Sequence, residues 1–185
     1  MYLLEKCCIS LRHNHLLERK NWLWDYIRPS YEKVIRWVAG AKGLQRIING
    51  TDPIRILPQF RSIPETYEPQ VWKRLMAEVR AGDIVADIGS FVGLYTLTLA
   101  KRVGPNGKVV SFEPDPENFV ALQAHVKLNN VSDRVELIQA AVGLDGEWVA
   151  FEGGRHSESR VAMNGNGQTG RTQLVTLDQI FVKRR

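Results

Sequence analysis

A short apolar stretch that runs into an acid and two glycines constrains this chain more than any other feature. The stretch is DIVADIGSFVGLYTLTLA, residues 83–100. Its first part, Ile84–Ile88, has almost no polar interruption, which is typical of a parallel strand buried on both faces. Gly89 and Gly93 allow a tight turn, and helical spacing follows as far as Arg102. This strand–turn–helix order predicts an α/β fold with a ligand site at the turn.

Two further strands follow in the same alternating pattern. GKVVSFEP predicts the second strand and RVELIQAAV the third. Between them, Asp115 can cap a helix that has Pro116 as its first residue and that ends at Asn129 and Asn130. We therefore predict a β-α-β-α-β half of a doubly wound sheet within residues 65–185.

A helix is also predicted immediately before the first strand. In EPQVWKRLMAEVRAGD, Pro69 lies in the first turn and Gly82 lies just past the end, as in many helices. Helical spacing places Val71, Leu75 and Val79 on one face, so this face is expected to be buried.

Residues 1–64 are predicted to form a first domain of basic amphipathic helices followed by a β-hairpin. They contain 11 Lys and Arg against 5 Asp and Glu, whereas residues 65–185 contain 14 against 15. Apolar spacing from residue 16 to 48 predicts two helices divided at Pro29, and NGTDP at residues 49–53 marks the hairpin turn. The basic and aromatic side chains suit either an anionic surface or packing of the aromatic rings on protein, and we favour packing.

Composition and motifs exclude several classes of protein. No apolar run is long enough to span a bilayer, and no signal peptide is recognisable, so we expect a cytoplasmic protein. The adjacent Cys7 and Cys8 suit neither a disulfide framework nor a zinc site, and no metal site is predicted. His125 is expected at the surface, and His156 lies in a loop at residues 153–170 that is rich in Gly, Ser and Asn.

The turn itself distinguishes between nucleotide cofactors. Asp87, Gly89 and Gly93 form D-x-G-x-x-x-G, whereas a dinucleotide site has G-x-G-x-x-G. Phe91 stands at the position of the middle glycine and disfavours a closely fitted pyrophosphate. The carboxylate of Asp87 would repel phosphate but suits an ammonium group. S-adenosylmethionine, which carries an ammonium and no phosphate, fits this pattern better than NAD.

Glu113 supports an adenosine site. It ends the second strand, 20 residues after Gly93, where a carboxylate can accept both ribose hydroxyls. Either cofactor would use such an acid, so it does not distinguish between them. The alternative is that Glu113 caps the next helix together with Asp115.

These segments, taken together, resemble FkbM-type S-adenosylmethionine-dependent methyltransferases. The stretches YEPQVW, AGDIVADIGSFVGLYT, VVSFEPDPENFVALQAHVKLNN, VELIQAAVGLDGE and LVTLDQI carry the resemblance, in that order, over about residues 46–182. It implies a class I methyltransferase fold, Rossmann-like, and methylation of a hydroxyl oxygen on a sugar or another small molecule. A small-molecule or carbohydrate acceptor is therefore expected, and nucleic acid is not.

The resemblance also implies cofactor contacts. The methionine-side loop would comprise five residues: Asp87, Gly89, Ser90, Phe91 and Gly93. Glu113 would hold the ribose, Pro114 would flank the adenine, and Ala140 would approach the adenine edge. The family usually has Ala-Asn after the first glycine, where this chain has Ser90-Phe91.

In the family a fourth strand follows the TLD stretch. In this sequence the TLD stretch is followed by QIFVKRR, which does not read as such a strand. We therefore expect a C-terminally incomplete domain whose first strand is an edge, with self-association and little or no methyl transfer. No catalytic residue is assigned; were the chain active, Glu68, His156 and the 153–170 loop would be the places to search. Two alternatives stay open: a non-catalytic remnant or interaction module, and a nicotinamide-dependent enzyme.

Overall fold

The computed structural model describes residues 26, 29–30, 33–35, 37, 39–144, 148–152, 160–161 and 169–182. The chain divides into two compact units, Met1–Ala41 and Lys42–Arg185. The described residues between 26 and 39 are helical. Tyr26 and Trp37, two of the aromatic residues expected to pack on protein, are 82% and 83% exposed. The predicted helix that begins at residue 16 lies outside the described residues.

The predicted hairpin is confirmed. Strands β1 (Leu44–Arg46) and β2 (Ile54–Ile56) pair in antiparallel register. The 3-10 turn Gly40–Lys42 precedes them, so the N-terminal helical segment ends before β1 rather than at residue 48. A second 3-10 turn, Pro58–Phe60, follows β2. We placed the domain boundary after residue 64, but the compact unit that contains the sheet begins at Lys42, so the hairpin belongs to it.

Helix α1 (Pro69–Glu78) begins with Pro69 at its first position, as predicted. It ends at Glu78, four residues before Gly82. The expected apolar face is wrong at one position, because Val71 is 58% exposed and Trp72 is the buried residue of this helix. Val79, just beyond the helix, is buried as expected.

The predicted half-sheet is confirmed. Strands β3 (Ile84–Ile88), β4 (Lys108–Phe112) and β5 (Val135–Ile138) form a parallel sheet in this order. Helix α2 (Leu94–Val103) connects β3 to β4, and helix α3 (Pro116–Leu128) connects β4 to β5. This is the α/β, Rossmann-like arrangement expected of a class I methyltransferase, and its parallel strands carry the ends of β3 and β4 to one edge of the sheet.

Helix α3 starts as the sequence predicts. The carboxylate of Asp115 accepts hydrogen bonds from the backbone N–H groups of Glu117 and Asn118, at 2.8 and 3.0 Å. Pro116 is the first helical residue, and Asn129 and Asn130 follow the end. The predicted capping chemistry therefore forms in full.

The expectation that β3 is an edge strand is confirmed within the described residues, and the burial on both faces that its apolar sequence is typical of does not occur. Ile84 is 61% exposed and Ile88 is 53% exposed, whereas Val109, Val110 and Phe112 of β4 are fully buried. Within the described residues β3 pairs only with β4, so it lies at the edge of the sheet while β4 lies in the middle. The apolar sequence of β3 thus faces outward for much of its length.

The predicted third strand divides into two. After β5, strand β6 (Ala141–Val142) belongs to a second sheet with β7 (Trp148–Glu152), β8 (Arg160–Val161) and β9 (Thr169–Val175), in the order β6-β9-β7-β8. Strand β9 contains part of QLVTL and pairs with β6 and β7, so it does not cover β3.

Helix α4 (Leu177–Phe181) follows β9 and begins with a capping box between Thr176 and Gln179. His156 and most of the 153–170 loop lie outside the described residues. In the part of the chain that the structure describes, no helix is long and apolar enough to cross a membrane.

Candidate cofactor site

A cavity of about 430 Å³ opens at the carboxyl ends of β3 and β4. This volume lies in the range typical of small-ligand sites. Six of the eight residues predicted to bind the cofactor line it: Asp87, Gly89, Ser90, Phe91, Glu113 and Pro114. The cavity therefore lies where the turn after the first strand predicted it.

The loop after β3 is held by the neighbouring strand. The backbone N–H groups of Gly89 and Ser90 both donate to the carbonyl oxygen of Phe112, each at 2.9 Å. Gly89 has a positive φ of 74°, and a Cβ placed on it would meet nothing within 4 Å. The backbone thus presents open space to the cavity at Gly89, which leaves room for the close approach of a ligand.

Phe91 occupies the left-handed region, with φ of 52°. Its backbone N–H donates to Glu113 Oε2 at 2.7 Å, and its ring packs edge-to-face against Phe60, with centroids 6.4 Å apart. Asn tolerates this conformation better than Phe, so Phe91 is an uncommon residue at such a φ. Phe91 is also one of the residues that line the cavity.

Glu113 is buried in the cavity wall, with 4% exposure. Besides Phe91, it accepts the backbone N–H of Asp115 on Oε1 at 2.9 Å. Burial raises the pKa of Glu113, and hydrogen bonds from Asp115, Phe91 and Asn118 oppose this rise. Asp115 alone caps α3, so Glu113 instead ties the β3 loop to the start of that helix, beside the cavity.

The carboxylate of Asp87 is buried and makes hydrogen bonds within the protein. Oδ2 accepts a hydrogen bond from Thr96 Oγ1 at 2.5 Å, and the Thr96 backbone N–H is a further donor. Thr96 Oγ1 also lies 2.9 Å from Ser111 Oγ of β4. Burial raises the pKa of Asp87, while hydrogen bonds from Thr96 and Ser90 act in the opposite direction. Asp87 therefore joins β3 to α2 from beneath the loop.

Two predicted residues do not line the cavity. Gly93 has φ of 93°, and a Cβ there would lie 2.5 Å from Leu122 Cδ1, so this glycine permits α3 to pack against the loop. Ala140 is fully buried after β5, in a core cluster with Val110 and Phe112. Both residues therefore take part in packing next to the site and do not line the cavity.

On the remaining wall of the cavity, sequence reasoning named Glu68 as a place to search for catalytic groups and missed the other lining residues. Tyr67 and Glu68, which precede α1, and Tyr95, in the first turn of α2, all line it, as does Asn118. The YEP stretch and the second residue after Gly93 were the available signals, but no spacing rule connects them. Among the residues that the structure describes, the cavity is lined by three acids, Glu68, Asp87 and Glu113, and by no Lys, Arg or His.

His125 was expected at the surface, and this expectation is wrong. It is fully buried, and both of its ring nitrogens have hydrogen-bond partners. Nδ1 lies 2.7 Å from the Val92 carbonyl oxygen, and Nε2 accepts the Leu57 N–H at 2.8 Å. Its ring also packs against Phe60. The residue connects the loop after β3 to the segment after β2.

The sequence profile of the TRM5/TYW2 methyltransferase domain family matches residues 67–171. This range contains the cavity, the half-sheet and both crossover helices. The chain belongs to the TRM5/TYW2 methyltransferase domain family. S-adenosylmethionine is accordingly its cofactor, and the lining fits that group: an open glycine backbone, a strand-end carboxylate and no cationic side chain.

Two curated proteins are similar to this chain over shorter stretches. The chain is 35% identical over 72 residues to 31-O-demethyl-FK506 methyltransferase FkbM of Streptomyces tacrolimicus, covering 39% of this chain and 27% of that protein. It is 35% identical over 54 residues to a catechol O-methyltransferase of Mycobacterium tuberculosis, covering 29% and 24%. The matched stretches thus span about a quarter of each curated relative.

Among solved structures, an O-methyltransferase of Bacillus cereus in complex with SAH is 28% identical. The match covers 39% of this chain and 34% of the Bacillus cereus chain, with a TM-score of 0.34.

Proposed function

We propose that this chain is a methyltransferase of the FkbM type that transfers the methyl group of S-adenosylmethionine to a hydroxyl oxygen of a small molecule or sugar. The observation that carries the proposal is the Glu113 carboxylate, placed at the end of β4 beside the glycine loop of β3 in one cavity. The similarity to 31-O-demethyl-FK506 methyltransferase FkbM and to a catechol O-methyltransferase supports oxygen as the acceptor atom.

Different residues of the cavity would contact different parts of the cofactor. Glu113 would accept hydrogen bonds from the ribose hydroxyls, and Pro114 would lie against the adenine. The loop from Gly89 to Phe91 would hold the methionine side, with Asp87 supporting the loop from below. Ala140 and Gly93 set the shape of the floor without direct contact.

When bound, S-adenosylmethionine supplies a methyl group on a positively charged sulfur. Transfer of that methyl group to a hydroxyl oxygen would break its sulfur–carbon bond and release the hydroxyl proton to solvent or to a base. The chain contributes by holding the acceptor in line with that bond, since placement alone supplies much of the rate increase in such reactions. We assign no catalytic base.

Calorimetry with three ligands tests the cofactor assignment. S-adenosylmethionine and S-adenosylhomocysteine are expected to bind more tightly than NAD. Glu113→Ala removes an acceptor for two ribose hydroxyls and should weaken binding of S-adenosylhomocysteine about tenfold or more. Glu117→Ala, an exposed acid four residues away and outside the cavity lining, is the matched control and should leave affinity unchanged.

Glu113 also makes internal hydrogen bonds, so Glu113→Gln, which keeps the shape of the side chain, accompanies the alanine variant. Tighter binding of NAD, or unchanged affinity in both Glu113 variants with intact circular dichroism, would contradict the assignment.

Transfer assays test the acceptor. Radiolabelled methyl groups should appear on catechols, sugars or other hydroxyl compounds in a panel that also contains RNA. Label on RNA alone would contradict the proposed acceptor class. Cofactor binding without transfer to any member of the panel would favour the interaction-module alternative.

A further inference from the structure

Glu68 and Tyr95 form a polar pair on the wall of the cavity that the sequence did not reveal. The Tyr95 hydroxyl donates to Glu68 Oε2 at 2.7 Å. Both residues line the cavity, and Glu68 is exposed there. The pair joins the segment before α1 to the first turn of α2, which are 27 residues apart in the chain.

The backbone around this pair is held on both sides. The Tyr67 N–H donates to Asn49 Oδ1 at 3.0 Å, and the Asn49 amide donates back to the Tyr67 carbonyl. Glu68 itself has φ of 41° and accepts the Trp72 N–H on its carbonyl oxygen at 2.9 Å. Glu68 therefore enters the cavity from a backbone position fixed by tertiary contacts rather than by helix capping, since its side chain makes no capping hydrogen bond.

The Tyr95 ring is fixed as well. It lies between two other aromatic rings, with centroid distances of 4.8 Å to Trp72 and 6.0 Å to Tyr67. Its hydroxyl can therefore hold one oxygen of Glu68 in a single orientation, which reduces the side-chain entropy lost when a ligand binds.

The three acids of the cavity differ in what their carboxylates can still do. Asp87 is 8% exposed and bonded to Thr96, and Glu113 is 4% exposed and bonded on both oxygens to backbone N–H groups. Glu68 keeps Oε1 without a hydrogen-bond partner among the described residues. Because Glu68 is the exposed one of the three acids and Asp87 and Glu113 are buried, its carboxylate is the best placed of the three to meet a ligand cation.

The position of the pair along the cavity indicates which part of the ligand it faces. Tyr95 is the second residue of α2, which begins directly after the loop that follows β3, and it lines the cavity together with Asp87 and Gly89 of that strand end and loop. The pair therefore lies at the β3 end of the cavity. With the ribose at Glu113, this end receives the methionine part of the cofactor.

We propose that Glu68 binds the ammonium group of the cofactor's methionine part, with the Tyr95 hydroxyl orienting its carboxylate. The inference rests on the proposed function. It assigns to Glu68 the role that the sequence suggested for Asp87, and it makes Asp87 a structural acid beneath the loop. Tyr95 is a positioning residue in this arrangement.

Two ligands that differ in this group provide the test. S-adenosylhomocysteine carries the ammonium and carboxylate of the amino acid, whereas 5′-methylthioadenosine has the same nucleoside and thioether without them. Affinities of both ligands are measured by calorimetry for the full chain, Glu68→Gln, Tyr95→Phe and the matched control Glu65→Gln. Glu65 is exposed and lies outside the cavity lining.

Loss of the charge should weaken binding of S-adenosylhomocysteine about tenfold in Glu68→Gln and leave 5′-methylthioadenosine within about twofold. Tyr95→Phe should shift the same ligand in the same direction by about threefold, because it removes the orienting bond and keeps the ring. Glu65→Gln should change neither affinity. Thermal unfolding of each variant establishes that the fold is kept.

Equal weakening of both ligands in Glu68→Gln would show a structural role and overturn the inference. Unchanged affinity for S-adenosylhomocysteine in Glu68→Gln, alongside tight binding by the unaltered chain, would overturn this inference alone. Failure of the unaltered chain to bind either ligand would overturn the proposed function as well. Tyr95→Phe gives the same decision should Glu68→Gln unfold: a loss equal for both ligands overturns the inference.

Discussion

Strands β3 and β4 are neighbours of similar apolar sequence, IVADI and KVVSF, yet they occupy different environments. β4 lies between two parallel partners, and its Val109, Val110 and Phe112 are fully buried. β3 has a partner on one side within the described residues, and Ile84 and Ile88 are more than half exposed. An apolar strand sequence thus indicates the type of element without indicating how many neighbours it has.

The two strands also divide the work of building the site. β3 supplies the glycine loop, and β4 holds that loop through the Phe112 carbonyl oxygen and the Glu113 carboxylate. The flexible glycine backbone is therefore ordered by the more buried strand. Self-association through the open edge of β3 stays a prediction, since exposed strand edges are templates for pairing.

The largest expected effect contrasts the burial of the two strands. Phe112→Ala should lower the free energy of unfolding by about 3–5 kcal/mol, because it leaves a cavity in the core. Ile84→Ala should lower it by less than about 1 kcal/mol, because Ile84 is 61% exposed. Urea denaturation measures both, with Phe112→Leu as a milder change should the alanine variant fail to fold. Equal losses for Phe112 and Ile84 variants would mean that something covers β3.

A smaller effect is expected at the junction of β3, α2 and β4. Thr96→Val removes the hydroxyl that donates to the buried Asp87 carboxylate and should cost about 1–3 kcal/mol in the free energy of unfolding. Thr98→Val, two residues along the same helix, is the matched control. The Thr98 hydroxyl donates only to the Leu94 carbonyl oxygen in its own helix, so about 0.5 kcal/mol or less is expected. Similar costs for the two variants would argue against a structural role for Asp87.

The smallest expected effect is a pH dependence that arises from the second support of the β3 loop. Burial lowers the pKa of His125, and its hydrogen bond to the Val92 carbonyl opposes the shift. Protonation at Nε2 would place an N–H donor opposite the Leu57 N–H, so the hydrogen bond between them would be lost. The unfolded chain therefore binds more protons, so the stabilisation is present above pH 6.5 and is lost as the pH falls below that value.

Urea denaturation between pH 7.5 and about 5 checks this dependence. His125→Gln cannot titrate and should show a shallower loss of stability over the same range. Identical slopes for the two proteins would show that His125 does not titrate during unfolding.

Local patterns in the sequence determined the elements that carry the site. The apolar run before Gly89, the Asp115-Pro116 helix start and the NGTDP turn each depend on contacts within a few residues, and each forms as predicted. The loop after β3 and the acid after β4 were also found, because parallel strands bring their carboxyl ends to one edge. The methyltransferase class followed from the combination of these segments in order.

The tertiary structure alone decided how those elements are covered and what completes the cavity. Division of the third strand and burial of His125 depend on which neighbours an element acquires, which periodicity does not encode. The Glu68–Tyr95 pair joins segments separated by the whole of β3, so no local spacing could reveal it. The sequence shows only that Asp87 and Glu68 are both acids. In the structure the Asp87 carboxylate accepts a hydrogen bond from Thr96, whereas the Glu68 carboxylate faces the cavity.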